Sequence, residues 1–324
     1  RRGAADRVDF HPAGSVPASR CVTGSAVAAL VGAELSTPVD PRVTEMAQAI
    51  AAQHGAASRA VLFYGSCLRE QQLDGLMLDF YLIVSDYKAA YDKAWLATAN
   101  RLIPPNVFPF AYQGLSAKYA VLSERDFIRL CGERADNVSV WARFAQPSRL
   151  VWTADEAAEQ DVVDAVTQAG PTLLKLALPS VPQGSRIDAR AAFEAGFAMT
   201  YTCELRAERK GRSGSIVDSA PEYYAGLFNA AAADGVIRPE AAISPSEQSA
   251  TARRWRSLQR RGKWLSVVRL IKASFTFAGG IEYLAWKINR HAGTKIKLRP
   301  WQRRHPLVAA ILLVPRLIAS RAIG

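Results

Sequence analysis

The sequence predicts an α+β protein in which a mixed sheet is followed by a mostly helical part and a basic amphipathic segment. Three observations predict this order. Short apolar β-type runs alternate with helical patterns up to about residue 152, and helical periodicity dominates from there to about residue 250. From Thr251 to Gly324 the chain carries 17 Lys and Arg residues against the single acid Glu282.

The size and composition of the chain indicate a folded protein with two oppositely charged parts. Its 324 residues are enough for two domains, and 49% hydrophobic residues supply a core. The net charge of +12 is uneven, because the first 250 residues hold 24 of the 41 basic and 28 of the 29 acidic groups. We predict a lead-in over 1–38, a sheet domain over 39–152, a helical domain over 153–250 and a basic segment over 251–324.

The first predicted elements are a helix and two buried strands. Up to about Pro38 the chain is rich in Ala, Gly, Ser and Pro without periodicity, which predicts a loosely ordered lead-in. Asp40 caps a helix that has one apolar face and ends by Gly55. Two apolar runs, Ala60–Tyr64 and Leu78–Val84, predict strands on either side of a polar loop.

Helix and strand continue to alternate before the chain becomes helical. A helix with aromatic anchors is expected over Tyr87–Leu102, then a break at Pro104-Pro105-Asn106 and a third strand over Lys118–Leu122. Ala-rich stretches from Ala154 to about Gly235 predict the helical domain. We expect the interleaved first part to form the mixed sheet.

The last segment combines positive charge with apolar helical stripes. Lys263, Arg269 and Lys272 fall mostly off the stripe that begins at Trp264, so the helix is amphipathic. Such a segment is typical of proteins that bind a polyanion. Its charge alone does not decide whether that partner is nucleic acid or an anionic lipid surface. The apolar run Leu307–Val314 is far shorter than the ~20 residues of a membrane span, so no transmembrane helix is predicted.

The four cysteines and four histidines show no metal-binding spacing. No CxxC, HxxxH or HxH motif occurs in the sequence, which argues against a zinc site and a thioredoxin-type centre. We expect reduced, structural cysteines, as in a cytoplasmic protein.

A Gly-Ser turn and an acidic strand hold the residues best suited to chemistry. Gly65 lets the backbone approach a phosphate, and free N–H groups with the Ser66 hydroxyl can donate to its oxygens. Asp79 lies near the start of an otherwise apolar strand, where an ionised carboxylate must be paired or bind a cation. Singly, these are also consistent with a plain turn and a solvated strand end. Together they match the layout by which polymerase-β-type nucleotidyltransferases hold a metal ion beside a phosphate.

Three further residues are candidates for the same site. Asp74 is either a second metal ligand or a solvated loop acid; the Asp-x-Asp pair of many such enzymes is absent, since position 77 is Met. Lys118 and Arg143 are either phosphate contacts or solvated surface cations. Nucleotidyl transfer needs Mg²⁺ on oxygen ligands and a stabilised pyrophosphate. An acceptor that is a phosphate monoester is already anionic and needs no strong general base.

Four short motifs follow one another along the chain. They are Tyr64-Gly-Ser66, Leu78-Asp-Phe80, Lys118-Tyr-Ala-Val121 and Trp141-Ala-Arg-Phe-Ala-Gln-Pro147. In this order they resemble the mitochondrial-type phosphatidate cytidylyltransferases, the translocator assembly and maintenance family, and their bacterial relatives. The resemblance runs loosely over about residues 59–305 and includes Leu173-Leu174 and Val268-Arg-Leu-Ile-Lys272.

The resemblance implies a Mg²⁺-dependent reaction in which CTP and phosphatidic acid give CDP-diacylglycerol and pyrophosphate. It implies a polymerase-β-like nucleotidyltransferase domain, a winged-helix-like domain and a C-terminal segment that docks on an anionic membrane surface. For a bacterial member of this family, the resemblance implies a peripheral location at the cytoplasmic face of the inner membrane. Residue by residue, it implies Gly65 and Ser66 for the triphosphate, Asp79 and Asp74 for the metal, Lys118 as a further catalytic residue, and Asn106 and Arg143 for phosphates.

Two other functions remain open on the sequence. The same chemistry also suits an RNA end, a sugar phosphate or an aminoglycoside as acceptor, and a basic tail would suit RNA. Because that tail carries aromatic residues within helical stripes, a bilayer is favoured and nucleic acid is the less favoured partner. The other function is a non-catalytic peripheral membrane scaffold in which Gly65, Ser66 and Asp79 are only structural. No obligate protein partner is indicated.

Overall fold

A five-stranded mixed sheet lies at the centre of the computed structural model, which describes residues 24–70, 72–181, 187–204 and 212–276. The strands are β1 (Ser58–Tyr64), β2 (Met77–Val84), β3 (Asn106–Tyr112), β4 (Leu115–Ser123) and β5 (Ser148–Thr153). Their order across the sheet is β3-β4-β2-β1-β5. β2 and β4 pair in parallel, and the other neighbours are antiparallel. The predicted α+β class with a mixed sheet is confirmed.

Helices cover both faces of this sheet. In the first part they are α1 (Ala26–Leu35), α2 (Pro41–Ala52), α3 (Ser66–Glu70), α4 (Tyr87–Ala90), α5 (Ala94–Leu102), α6 (Glu124–Cys131) and α7 (Trp141–Phe144). After β5 they are α8 (Glu156–Thr167), α9 (Ala169–Ala177), α10 (Ala189–Cys203), α11 (Arg212–Asp218), α12 (Pro221–Ala233) and α13 (Pro245–Thr276). None of the described helices is both long enough and apolar enough to cross a bilayer.

Two hydrophobic cores lie on opposite faces of the sheet. On β2, Tyr81 and Ile83 belong to the first core, whereas Phe80 and Leu82 belong to the second, because successive side chains of a strand alternate. Both faces are covered, so the inner stretches of the central strands are apolar runs rather than alternating apolar and polar residues, with Asp79 and Lys118 as polar residues nearer the strand starts. The second core is closed by α2.

The helical part shares the first core with the sheet. Buried residues of α6, α8, α9, α10 and α12 join the same cluster as the side chains of β1, β2 and β4. Trp255 and Leu258 of α13 are 1% exposed and belong to it too. The predicted boundaries at 152 and 250 therefore do not separate independent cores. Among the described residues after Thr153, no strand occurs.

The expected loosely ordered lead-in contains a well-packed helix. Val27, Val31 and Leu35 of α1 are buried in the first core. Ser25 caps α1 by accepting a hydrogen bond from the Ala28 amide (3.1 Å). The Ser25 hydroxyl in turn donates to Asp234 (2.7 Å) at the end of α12. The part of the lead-in over 1–23 lies outside the described residues.

Two further elements differ from the expectation. The single helix expected over Tyr87–Leu102 is divided into α4 and α5, because Tyr91 is extended and buries its ring in the second core. β3 begins within the expected break, at Asn106. It forms one edge of the sheet, and its Pro109 is exposed. β5, the other edge, was not predicted either.

Candidate functional site

Gly65 and Asp79 lie against each other where β1 ends and β2 begins. The antiparallel register pairs Tyr64 with Asp79, and Gly65 follows with φ +98°, which glycine adopts without steric cost. A Cβ atom on Gly65 would lie 3.1 Å from Asp79 Oδ2. The structure thus brings together the two residues that the sequence singled out, and a glycine is required both by the backbone and by the close approach.

Ser66 is the first residue of α3, directly after that glycine. The Arg69 amide donates to Gly65 O (3.3 Å), which closes the turn. The Cys67 thiol donates to Met77 O (3.4 Å) and ties α3 to the start of β2. The Ser66 hydroxyl is therefore carried on a turn that is fixed to the strand that bears Asp79.

Lys118 completes a pair with Asp79 from the neighbouring strand. The parallel register of β2 and β4 places the two residues side by side, and Lys118 Nζ lies 3.1 Å from Asp79 Oδ1. The Asp79 side chain is 18% exposed and that of Lys118 is 38% exposed. One carboxylate oxygen thus contacts an ammonium group and the other faces Gly65.

Arg143 approaches the same face of the sheet from α7. Phe144, the next residue, packs on Tyr64 and Tyr81, with ring centroids 5.9 and 5.2 Å away. Burial opposes the charged form of Arg143. The negative charge of nearby groups outweighs this effect and raises the pKa of Arg143; Glu204 contributes most, and Asp79 also contributes. A charged guanidinium is thus held between the sheet and the helical part.

Glu204 is a site residue that sequence reasoning missed. It follows α10, its side chain is 12% exposed, and its Oε1 lies 3.5 Å from Arg143 Nη1. It stands far from the other candidates along the chain and in no motif, so only the contact reveals it. A narrow cleft here is lined by Val138, Ala142, Arg143, Gln146, Phe197, Thr200, Tyr201 and Glu204.

The structure does not bring two of the candidates into this cluster. The Asp74 side chain is 79% exposed, and its Oδ1 accepts from Arg42 of α2 (3.1 Å), so it is held at the surface. Asn106 is fully buried and pairs with Val121, whose side chain lies in the second core. Its side-chain amide donates to Leu96 O (3.1 Å), so it anchors β3 to α5 on the opposite face from Asp79.

The oxygen donors at Asp79 and Ser66 suit a magnesium ion. Mg²⁺ in proteins is commonly held by one or two carboxylates together with substrate phosphates. Within the described ranges, no group of three or more His, Cys, Asp or Glu residues is arranged to hold a metal by itself. Asp79 and Ser66 are the oxygen donors at this turn that could hold such an ion.

Arg269 and Lys272 of α13 point inward, toward the turn before β3. Arg269 donates twice to Pro104 O (2.9 and 2.6 Å) and to Ser139 Oγ (3.0 Å). Lys272 Nζ donates to Ile103 O and to Pro105 O. Loss of hydration, aided by the charge of Arg269, lowers the pKa of Lys272 to about 7. The two cations fasten α13 to the turn before β3.

The outer face of α13 carries the exposed cations of the segment. Arg253, Arg256, Arg260 and Lys263 recur at helical spacing and are exposed, and Trp264 is 67% exposed. The remainder of the apolar stripe, from residue 270 on, lies outside the described side chains. A positively charged helix face with one exposed aromatic ring is therefore established for the first turns of the segment.

Comparisons with protein-family models and with curated proteins found no match. The fold is an α+β protein with a mixed five-stranded sheet. Its candidate site is a glycine turn, a carboxylate and two basic side chains between the sheet and the helices.

Proposed function

We propose that the protein is a Mg²⁺-dependent nucleotidyltransferase that binds its triphosphate at the Gly65–Ser66 turn. The observation that carries this proposal is the approach of Gly65 to Asp79 Oδ2, at 3.1 Å from where a Cβ would stand. Because Gly65 has no side chain, the Asp79 carboxylate lies directly against the turn, so a metal ion held by Asp79 would be next to a phosphate bound by the turn amides. Lys118 and Arg143 add positive charge on the same side of the sheet.

Each residue of the site has a separate task in this proposal. The amides after Gly65 and the Ser66 hydroxyl donate to phosphate oxygens, and Asp79 holds the metal. When bound, Mg²⁺ supplies charge neutralisation at the phosphates. Lys118 compensates Asp79 and can turn to a phosphate, while Arg143 stabilises charge on the departing pyrophosphate.

The acceptor in this proposal is phosphatidic acid, and the nucleotide is CTP. A phosphate monoester is an anionic nucleophile, so it needs no general base. His54, the one histidine among the described residues, belongs to the second face, where it contacts Ala90 O and the Tyr119 hydroxyl. The exposed cations of α13 with Trp264 favour an anionic lipid surface. The products are CDP-diacylglycerol and pyrophosphate.

The proposed function also implies a fold for each part of the chain and a location for the protein. We assign the sheet to a polymerase-β-like nucleotidyltransferase arrangement and the helices after β5 to a winged-helix-like part. The location is peripheral, on the cytoplasmic face of the inner membrane, because both CTP and a membrane-bound acceptor must reach one site.

The test is product formation with CTP, Mg²⁺ and vesicles that contain phosphatidic acid. Asp79→Asn is expected to lower the rate by at least about 100-fold, because the metal loses its protein ligand. Asp74→Asn, whose carboxylate is held by Arg42 at the surface, is expected to stay within about threefold of wild type.

Three results would reject parts of this proposal. Transfer of CMP only to RNA, a sugar phosphate or an aminoglycoside would keep the enzyme class and remove the lipid acceptor. Equal activity of wild type and Asp79→Asn would remove the catalytic site. Vesicle binding without any product or any response to CTP and Mg²⁺ would favour a non-catalytic scaffold.

A further inference from the structure

Arg143 is oriented by two groups that do not belong to the sheet. Its Nη1 donates to Ser139 O and lies 3.5 Å from Glu204 Oε1. The Ser139 hydroxyl accepts a hydrogen bond from Arg269 (3.0 Å), so the two guanidinium groups share one residue as an anchor. Arg143 is thus held by Ser139, just before its own helix, and by Glu204 at the end of α10, while Arg269 of α13 contacts the same Ser139.

Glu204 is fixed in position by close packing behind it. It follows Cys203, and α13 crosses there at Gly262, where a Cβ atom would lie 2.3 Å from Cys203 O. Its side chain is 12% exposed. Burying an ionised carboxylate costs free energy unless cations lie near it. Arg143 and Arg269 are both close enough for the charge of Glu204 to stabilise their charged forms.

Charged groups from several elements act on one another on this side of the sheet. The described ones are the cations Lys118, Arg143 and Arg269 and the acids Asp79, Glu204 and Asp136. Cations and acids are equal in number, so the attraction for a phosphate depends on how Arg143 is held and not on an excess of positive charge. A guanidinium that is already held in one direction loses little freedom when it binds a phosphate.

We propose that Glu204 is a positioning residue of the site, supplied by the helical part, which holds Arg143 in the orientation that binds the triphosphate. This inference rests on the proposed function, because it concerns the same site. It makes the helical part a component of the nucleotide site, so that the sheet alone would bind a triphosphate weakly.

A double-mutant cycle tests the inference by the binding of CTP with Mg²⁺, measured by calorimetry. Glu204→Gln keeps the shape and removes the charge, and it is expected to weaken binding about tenfold. In the Arg143→Gln background the same change is expected to add less than about twofold, because there is no guanidinium left to hold. Glu204→Asp keeps the charge and should recover part of the affinity.

Glu194→Gln is the matched control, since Glu194 lies on α10 and pairs with Arg190 (2.8 Å) away from the site. It should bind CTP like wild type. Wild-type affinity in Glu204→Gln, or an equal loss with and without Arg143, would overturn the inference. If thermal unfolding shows that Glu204→Gln does not fold, Glu204→Asp in both backgrounds tests the reach of the carboxylate instead: a loss smaller than about tenfold is expected, and it should disappear when Arg143 is replaced. A wild-type protein that binds no CTP with Mg²⁺ would instead reject the proposed function, and this inference with it.

Discussion

At the scale of single residues, the absence of a side chain at position 65 is itself part of the site. Gly65→Ala places a methyl group 3.1 Å from Asp79 Oδ2 and forces a left-handed conformation on a residue with a side chain. We expect at least about tenfold weaker binding of CTP with Mg²⁺, and a loss of about 1–2 kcal/mol in the free energy of unfolding. Calorimetry and chemical denaturation measure the two effects.

The chain offers a control that separates space from backbone strain. Gly114 also has a positive φ, +80°, but nothing lies within 4 Å of its hypothetical Cβ. Gly114→Ala should therefore lose similar stability and keep its affinity for the nucleotide. If both variants lost affinity equally, the contact with Asp79 would not be the cause.

Lys272 makes a second prediction at this scale, on the pH dependence of stability. Burial lowers its pKa from 10.5 to about 7, so between these values the unfolded chain holds a proton that the folded protein has released. Raising the pH therefore stabilises the folded state, by about 1 kcal/mol per pH unit above about pH 7. Lys272→Met should lack this increase between about pH 7 and about pH 9 in denaturation experiments.

The exposed cation Lys88 supplies the comparison for that experiment. Lys88→Met should follow the wild-type dependence on pH. Parallel curves for wild type and Lys272→Met would show that the ammonium group is not buried as described.

The residues of the candidate site could be predicted from the sequence only where their immediate neighbours in the chain mark them out. Gly65 and Asp79 were found because each interrupts an apolar run, and the strands themselves bring them together. For Asp74 the sequence left a metal ligand and a solvated loop acid open, because its partner Arg42 lies 32 positions away and is not indicated by the sequence of the loop. Glu204 was missed for the same reason, because its contact with Arg143 depends on how α10 packs.

At the scale of elements, α13 depends on a close crossing with the end of α10. Gly262→Ala would place a Cβ 2.3 Å from Cys203 O, a backbone atom that cannot rotate away. We expect a loss of about 2–4 kcal/mol in the free energy of unfolding, measured with urea. Because Glu204 follows Cys203, the affinity for CTP with Mg²⁺ should fall as well.

Gly32, in the middle of α1, is the matched helical glycine. Nothing lies within 4 Å of its hypothetical Cβ. Gly32→Ala should leave stability unchanged or raise it by up to about 1 kcal/mol, because alanine is the better helix former. A similar loss in both variants would mean that the crossing at position 262 is looser than described.

The elements that sequence predicted are those with strong apolar patterns. β1, β2 and β4 are buried on both faces over most of their length, and each contains an apolar run of four or five residues. β3 and β5 lie at the edges, where the residues are only partly buried and the pattern is weak. α1 was missed because Ala and Gly surround its three large buried residues and dilute the periodicity.

At the scale of the whole molecule, the charge of α13 is expected to direct the protein to anionic surfaces. Replacing Arg253, Arg256 and Arg260 together with Gln should weaken binding to phosphatidic-acid vesicles by up to about 100-fold at low salt. The reason is that each cation contributes about 1 kcal/mol near an anionic leaflet, and salt screens it. Vesicle flotation at low and high salt measures the effect.

A second triple variant keeps the change in net charge constant. Lys88, Lys93 and Arg101 are exposed on α4, before α5 and on α5, and none of them belongs to α13. Their replacement with Gln should weaken vesicle binding far less. Equal losses in the two triple variants would show that total charge, and not the face of α13, governs the attraction.

The edge strand β3 has a consequence for how the molecule behaves in a crowded solution. An unpaired strand edge can recruit the edge of another copy and start a growing assembly. Pro109 has no N–H group to offer to such a partner and its ring disturbs the approach, while α13 lies against the same strand. This edge of the sheet is thereby protected from pairing with another copy, so a high local concentration of the protein need not lead to assembly through β3.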